Sequence, residues 1–112
     1  AKLNKFDSNN PYPTADTLRK ISIQGVNGSN PIQGYTNMTK ASQTIIDIVD
    51  SLNDDEYVWY VAGAGLSELA TALHYKPSIQ SKIKLYAIGS WNTAQDPHSR
   101  SYIFENFKDL WF

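Results

Sequence analysis

Three residues with binding chemistry, Ser90, Trp91 and Asn92, follow directly after an apolar run that ends in glycine. The apolar run is typical of a buried strand, so the three residues form a loop at its carboxyl end. Asp96 and Pro97 then start a helix, with Asp96 at the N-cap and Pro97 at the first helical position. In open α/β proteins, small ligands bind in the crevice outside the carboxyl ends of parallel strands. We therefore expect a small-molecule site at this loop.

The composition excludes several classes of function. The chain has 112 residues, enough for one domain with a modest core, and its net charge is -1 at pH 7. Nucleic acids and anionic membranes require a basic face, so we expect neither as a partner. The absence of cysteine excludes disulfides and thiolate metal sites. No apolar run is long enough to cross a membrane. The chain begins at Ala1, and we expect processing or excision upstream of it.

Residues 1–38 form a turn- and loop-rich N-terminal segment. Thr14 is placed to cap a short helix that runs to Lys20. Residues 21–23 alternate in polarity and predict a short strand. Residues 25–34 are rich in glycine and asparagine and predict a long loop, which in a compact domain is usually functional or mobile.

Residues 39–112 predict a regular α/β core. The predicted order is helix 39–52, strand 57–62, helix 66–73, helical turn 78–82, strand 84–88, helix 97–107 and a strand from 109. Strands separated by helices pair in parallel, and strand 57–62 is apolar enough to be buried on both faces. We therefore predict an α/β fold, a three-layer, Rossmann-like parallel sheet with helices on both faces. Three strands leave apolar surface uncovered, so we expect an incomplete part of a larger domain.

Several segments resemble the nucleoside hydrolase-like family. The likeness runs from about Asn10 to Phe112 and is carried by residues 12–19, the helix from Thr39, and residues 87–112. Within the family, the chain is most similar to a subgroup of bacterial, often exported proteins, some of which are labelled cellulose-binding. The resemblance therefore implies export to the periplasm or the medium.

Two family motifs have counterparts in this chain. A family strand that leads into Thr-Gly-Pro-Leu-Thr-Asn and a helix corresponds to residues 63–70. A second family strand ends in Met-Gly-Gly, followed by Glu-Phe-Asn, three variable residues and Asp-Pro. That pattern corresponds to residues 88–97, where Asn92 matches the asparagine and Trp91 the aromatic residue.

The resemblance implies a reaction and a set of binding roles. Family members hydrolyse the N-glycosidic bond of ribosides or related glycosides with one calcium ion. The ion is held by an Asp-x-Asp-x-x-x-Asp-Asp cluster and by a backbone carbonyl in the loop that matches Gly63, and oxygen ligands suit calcium. Asn92 matches the asparagine that binds sugar hydroxyls, because an amide can donate to one hydroxyl and accept from its neighbour.

The chain departs from the family pattern at important positions. Ser90 replaces the sugar-binding glutamate, and Ile88 replaces the methionine. The Asp cluster is absent, so no base is available to activate a calcium-bound water. We therefore expect the chain alone to be inert and to bind calcium only with ligands from outside it, from the rest of the parent domain or an oligomer partner. The alternative is a non-catalytic carbohydrate-binding module that uses the same crevice for a sugar or glycoside, with Trp91 stacking on the ring and Asn92 fixing its hydroxyls.

Simpler structural roles remain open for the same residues. Asn92 could fold a turn, and Trp91 could be a partly buried anchor for its loop. Residues 54–56 are acidic, but they precede a strand and predict a solvated turn at the edge opposite the candidate site. His74 and His98 have no nucleophile or acid at a spacing that indicates a catalytic triad.

Overall fold

The computed structural model describes residues 12–89 and 94–112. The helices are α1 (Ala15–Ile21), α2 (Lys40–Asp50), α3 (Ser67–Tyr75) and α4 (Pro97–Asn106), with a short 3₁₀ helix at Pro77–Lys82; the strands are β1 (Val58–Ala62) and β2 (Ile83–Ala87). The alternation of helices and strands confirms the predicted order from residue 39 to the end of α4, and the strand predicted from residue 109 is an isolated bridge at Trp111. One prediction in the first segment is wrong. Ile21 ends α1, and residues 22–26 form no strand.

Side-chain caps explain where the first two helices begin. The Thr14 hydroxyl accepts a hydrogen bond from the Thr17 backbone N–H, as predicted for a cap at this position. Thr39 and Ser42 form a reciprocal capping box at the start of α2, in which each side chain accepts from the other residue's backbone N–H. Each cap satisfies donors that the first turn of a helix leaves unpaired.

The two strands pair in parallel, as predicted. Val58 lies opposite Ile83, and Ala62 lies opposite Ala87. Trp111 adds a single parallel bridge on the other side of β2, where its carbonyl accepts from the Leu85 N–H at 2.9 Å. The segment predicted to be a third strand therefore reaches the sheet at one point.

One face of the sheet packs on the helices. Side chains of α2, α3, α4 and the inward face of both strands form one cluster, which includes Val49, Leu69, Leu73, Leu85 and Ile103. Each of these five side chains is at most 2% exposed. Apolar residues at helical spacing in the sequence supply the helical half of this core, as the periodicity predicts.

The opposite face of the sheet is open over the described residues, which differs from the prediction that β1 is buried on both faces. Trp59 is 50% exposed, Val61 66% and Tyr86 59%. Burial alternates along β1 because the helices pack on one side only. The described residues thus form a two-stranded parallel sheet with helices on one face. Within the same residues, no helix is both long and apolar enough to span a bilayer.

Candidate functional site

An open crevice of about 530 Å³ lies beyond the carboxyl end of β1. Its walls come from the loop at 25–29, the turn and helix start at 64–68, the Tyr60 side chain, and residues 95–96. Segments that are far apart in the sequence meet here because the loop after β1 and the start of α4 emerge at the same edge of the sheet. This is the edge at which the sequence predicts a small-molecule site.

Asp96 links the start of α4 to the start of α3. It occupies the N-cap position of α4, as predicted, with Pro97 in the first turn, but its side chain makes no capping bond to that helix. Instead, Oδ2 accepts hydrogen bonds from the Leu66 backbone N–H at 3.0 Å and from the Ser67 hydroxyl at 2.6 Å. Leu66 occupies the N-cap of α3, and its side chain has no oxygen that could accept a hydrogen bond from the first turn. A carboxylate brought from a distant part of the chain therefore satisfies donors at that helix start.

Over the part of the chain that the structure describes, one oxygen of this carboxylate accepts hydrogen bonds and the other does not. Asp96 is 3% exposed, and its Oδ1 has no hydrogen-bond partner within the described residues. Gly65 allows the close packing, because a Cβ at that position would lie 2.8 Å from Asp96 Oδ2. The Asp96 carboxylate beside the crevice is thus held through Oδ2, while Oδ1 is enclosed and has no partner among the described residues.

Glu68 forms hydrogen bonds with two other segments beside the crevice, the loop at 25–29 and the start of α2. Its Oε1 accepts from the Val26 backbone N–H at 2.5 Å, and its Oε2 accepts from the Thr39 hydroxyl. A Cβ at Gly25 would overlap this carboxylate, so the lack of a side chain at Gly25 lets the loop approach Glu68 in this position. The contacts hold the loop and the capping residue of α2 against the start of α3.

Tyr60 supplies a neutral phenol to the wall of the crevice. Burial raises its pKa to about 12, and the negative charge of Glu68 acts in the same direction. The hydroxyl therefore stays protonated over the physiological pH range, and in this form it can both donate and accept a hydrogen bond.

The site residues predicted from the sequence differ in where they lie relative to the described residues and the crevice. Ser90, Trp91 and Asn92 lie outside the described residues. Gln95 and Asp96, which follow them in the chain, line the crevice. Gly63 lies in the exposed bend after β1 and is not among the lining residues.

The described residues do not supply a calcium site around Gly63. In this part of the chain, no group of three or more His, Cys, Asp or Glu side chains is placed to hold a metal ion. The two carboxylates of the crevice, on Glu68 and Asp96, accept hydrogen bonds from neighbouring segments. A calcium ion at this loop would need further oxygen ligands from elsewhere.

The remaining candidates lie away from the crevice. Residues 54–56 are exposed and precede β1, as predicted for a solvated turn. His74 stacks on Tyr35 with ring centroids 3.5 Å apart, and its Nδ1 lies 2.8 Å from the Tyr102 hydroxyl. His98 does not line the crevice. His74 is therefore part of the packing between α3, α4 and the loop before α2.

Sequence reasoning missed Tyr60, Glu68 and the role of Asp96. The sequence pattern places Glu68 near the start of helix 66–73 and Tyr60 within strand 57–62. One local signal was available: α3 begins after Leu66, which cannot cap it, so a partner from another segment was required. The sequence alone did not identify that partner.

Comparison with known protein families gives a match over the whole chain. No curated protein and no solved structure matches the chain. A family described as "Cellulose-binding Sde182, nucleoside hydrolase-like domain" matches residues 1–112. This is the family that the residues at 63–70 and 88–97 resemble. The chain therefore belongs to the nucleoside hydrolase-like domain family of cellulose-binding Sde182.

Proposed function

We propose that the crevice at the carboxyl end of β1 binds a carbohydrate. The observation that carries the proposal is the position of Gln95 and Asp96 in the crevice wall, immediately after the segment that matches the family's sugar-binding motif. Ligands of α/β proteins commonly bind at this edge of the sheet. The family description names cellulose binding, which makes a β-linked glucan a suitable first ligand.

The residue types suit a polyhydroxylated ring. Asn92 contributes an amide that donates and accepts, and Trp91 contributes an indole face for stacking. Tyr60 and Asp96 add a phenol and a carboxylate, while Ala64 adds apolar wall. Sugar sites combine these features because a pyranose has polar edges and less polar faces.

Hydrolysis is the second candidate, and it requires more than this chain provides. The family membership favours an N-glycosidase ancestry, with calcium and ribosides or related glycosides as expected cofactor and substrates. However, Ser90 stands where the family has a glutamate, and the sequence contains no Asp-x-Asp-x-x-x-Asp-Asp cluster. We therefore propose that this chain binds a sugar without cleaving it. Turnover would depend on acidic ligands from outside the chain, to which the Gly63 carbonyl would add one.

The open sheet face fits a larger version of the same fold. Trp59, Val61 and Tyr86 form an apolar surface on the side that lacks helices in the described residues. Parallel sheets are normally covered on both faces. We propose that this surface belongs to a three-layer, Rossmann-like arrangement completed by further segments of the parent domain or by an oligomer partner.

Isothermal titration of the intact protein with cellotetraose tests the binding proposal. Trp91→Ala and Asn92→Ala should each weaken binding about tenfold, because a stacked ring or a hydrogen-bonded pair of hydroxyls is lost. Trp111→Ala is the matched control, since Trp111 is 53% exposed and does not line the crevice. Unchanged affinity in both loop variants, or loss only in the control, would contradict the proposal.

A further inference from the structure

Several polar side chains of the crevice wall are engaged by the fold itself. Glu68 accepts from the Val26 backbone N–H through Oε1 and from the Thr39 hydroxyl through Oε2. The Ser67 hydroxyl donates to Asp96 Oδ2, and Asp96 Oδ1 is enclosed. These bonds hold the walls of the crevice together. A ligand that avoids breaking them takes its hydrogen bonds from other groups of the wall.

Within the described residues, three side chains of the wall carry a polar group that makes no hydrogen bond: Ser29, Tyr60 and Gln95. Ser29 and Gln95 are exposed and lie outside the helices and strands, whereas Tyr60 is half-buried on β1. An exposed side chain loses rotamer freedom when it binds a ligand, and this loss reduces the affinity. Tyr60 is therefore the residue of the three whose position the fold has already restricted.

Three observations place the Tyr60 hydroxyl on the crevice side of its ring. Tyr60 also borders a small dent between α2 and the sheet, beside Ile48 and Val58, and the atoms that line this dent are all apolar. The hydroxyl therefore lies elsewhere, and the negative charge of Glu68, a residue of the crevice wall, acts on it. Among the described residues, the enclosed polar atoms without a partner do not include this oxygen. A ligand in the crevice can therefore reach it.

The rest of the side chain holds that hydroxyl in place. The Tyr60 ring packs against the hydrophobic core, and its backbone lies in the paired strand opposite Leu85. A group fixed in this way loses little freedom on binding, which favours both affinity and selectivity. A sugar hydroxyl is a suitable partner, because a neutral phenol and an alcohol can each donate and accept.

From these observations we infer that Tyr60 is a specificity-determining residue of the crevice, and that its hydroxyl forms a hydrogen bond with one hydroxyl group of the bound sugar. The inference rests on the proposed function and adds a specific contact to it. This contact comes from β1, whereas the family's sugar-binding motif corresponds to residues 88–97. The sugar is thus held from two separate segments of the chain.

The variant Tyr60→Phe removes the hydroxyl and keeps the ring that packs on the core. Because the hydroxyl makes no hydrogen bond within the described residues, the variant should melt at the same temperature as the wild type at neutral pH. A marked fall in melting temperature would show that the hydroxyl holds the fold, which would overturn the inference. Tyr57→Phe is the matched control, since Tyr57 is 49% exposed, precedes the other end of β1 and does not line the crevice.

The binding test uses methyl β-cellobioside and its monodeoxy derivatives with the intact wild type and both variants. For the wild type and Tyr57→Phe, we expect one derivative to bind about tenfold more weakly than the parent sugar. In Tyr60→Phe that difference should disappear, because the missing sugar hydroxyl no longer has its partner. The parent sugar should bind Tyr60→Phe about tenfold more weakly than the wild type. Comparing derivatives within one variant removes any general effect of the substitution on affinity.

The outcomes separate this inference from the proposed function. If the wild type binds neither the cellobioside nor cellotetraose, the proposed function fails and this inference fails with it. If the wild type binds but Tyr60→Phe keeps the same deoxy penalty, only the role of Tyr60 is overturned. The same conclusion follows if Tyr60→Phe binds the parent sugar as tightly as the wild type, or if Tyr57→Phe also loses the deoxy penalty.

Discussion

At the scale of single residues, Gly65 and Asp96 show how closely the crevice is packed. The described glycines with a positive φ are Gly28 and Gly34. The φ of Gly65 is not positive, so residues with a side chain could adopt its backbone conformation. What excludes a side chain is the Asp96 carboxylate, 2.8 Å from the position of a Cβ. The requirement for glycine here is therefore a matter of space.

Gly65→Ala should lower the free energy of unfolding by about 1–3 kcal/mol, the usual cost of forcing a methyl group into a packed site. Urea denaturation measures the change. Gly63→Ala is the matched control, because a Cβ at Gly63 would meet nothing within 4 Å and its φ is not positive. That variant should be neutral or slightly stabilising. Equal losses in both variants would contradict the close packing between Gly65 and Asp96.

The buried Tyr60 phenol makes the free energy of unfolding depend on pH in the alkaline range. Its pKa is about 12 in the folded chain and 10.0 as the ordinary value, so the unfolded chain loses the phenolic proton first. The stability due to burial of the neutral phenol is complete below pH 10 and falls as the pH rises toward 12. Between pH 9 and pH 11, the wild type should lose about 1.4 kcal/mol more than Tyr60→Phe. Parallel denaturation curves of the two proteins at both pH values would measure this, and identical losses would show that the phenol is not buried.

At the scale of elements, the strongest periodic patterns were predicted well. Helices α2 and α3 and the two parallel strands lie where the apolar pattern places them, and α4 begins after Asp96 as the Asp-Pro pair predicts. The open face of β1 was not predicted, because a continuous apolar run looks the same whether one face or both are covered. The strand predicted at residues 21–23 is wrong because α1 extends to Ile21. An alternating pattern of three residues is too short to indicate a strand.

The sequence predicts the edge of the sheet at which the crevice lies, but it does not predict the contacts that shape the crevice. The edge of the sheet followed from the order of helices and strands. The contacts of Asp96 with Leu66 and Ser67 join residues about thirty positions apart, which no local pattern encodes. The same is true of Glu68 and Val26, which are 42 positions apart.

Asp96 links the start of α4 to the start of α3, so its removal should destabilise the first turn of α3. Asp96→Ala leaves the Leu66 N–H and the Ser67 hydroxyl without their acceptor, which should cost about 2–3 kcal/mol of unfolding free energy. Asp55→Ala, in the exposed turn before β1, is the control and should change stability by less than about 0.5 kcal/mol. Hydrogen exchange should also be faster in the first turn of α3 in Asp96→Ala. A loss no larger than that of the control would mean that Asp96 does not hold this helix.

At the scale of the whole molecule, the open sheet face decides whether the fold has a further layer. If segments of the parent domain or a partner cover Val61, Val61→Asp in the intact protein should cost more than about 2 kcal/mol, because a buried charge would be unpaired. Ile32→Asp is the control, since Ile32 is 84% exposed on the loop before α2. Denaturation of both variants makes the comparison. A change within about 0.5 kcal/mol at both positions would leave Val61 in solvent and contradict the three-layer proposal.

The location of sugar binding is the central claim, and an amide ¹H–¹⁵N titration of the intact protein with cellotetraose tests it most directly. The account predicts shift changes concentrated at residues 64–68 and at Gln95 and Asp96, the walls of the crevice. Changes confined to Trp59 and Trp111 would place the sugar on the open sheet face, and no changes would mean that the crevice binds no such sugar. Either result would contradict the account.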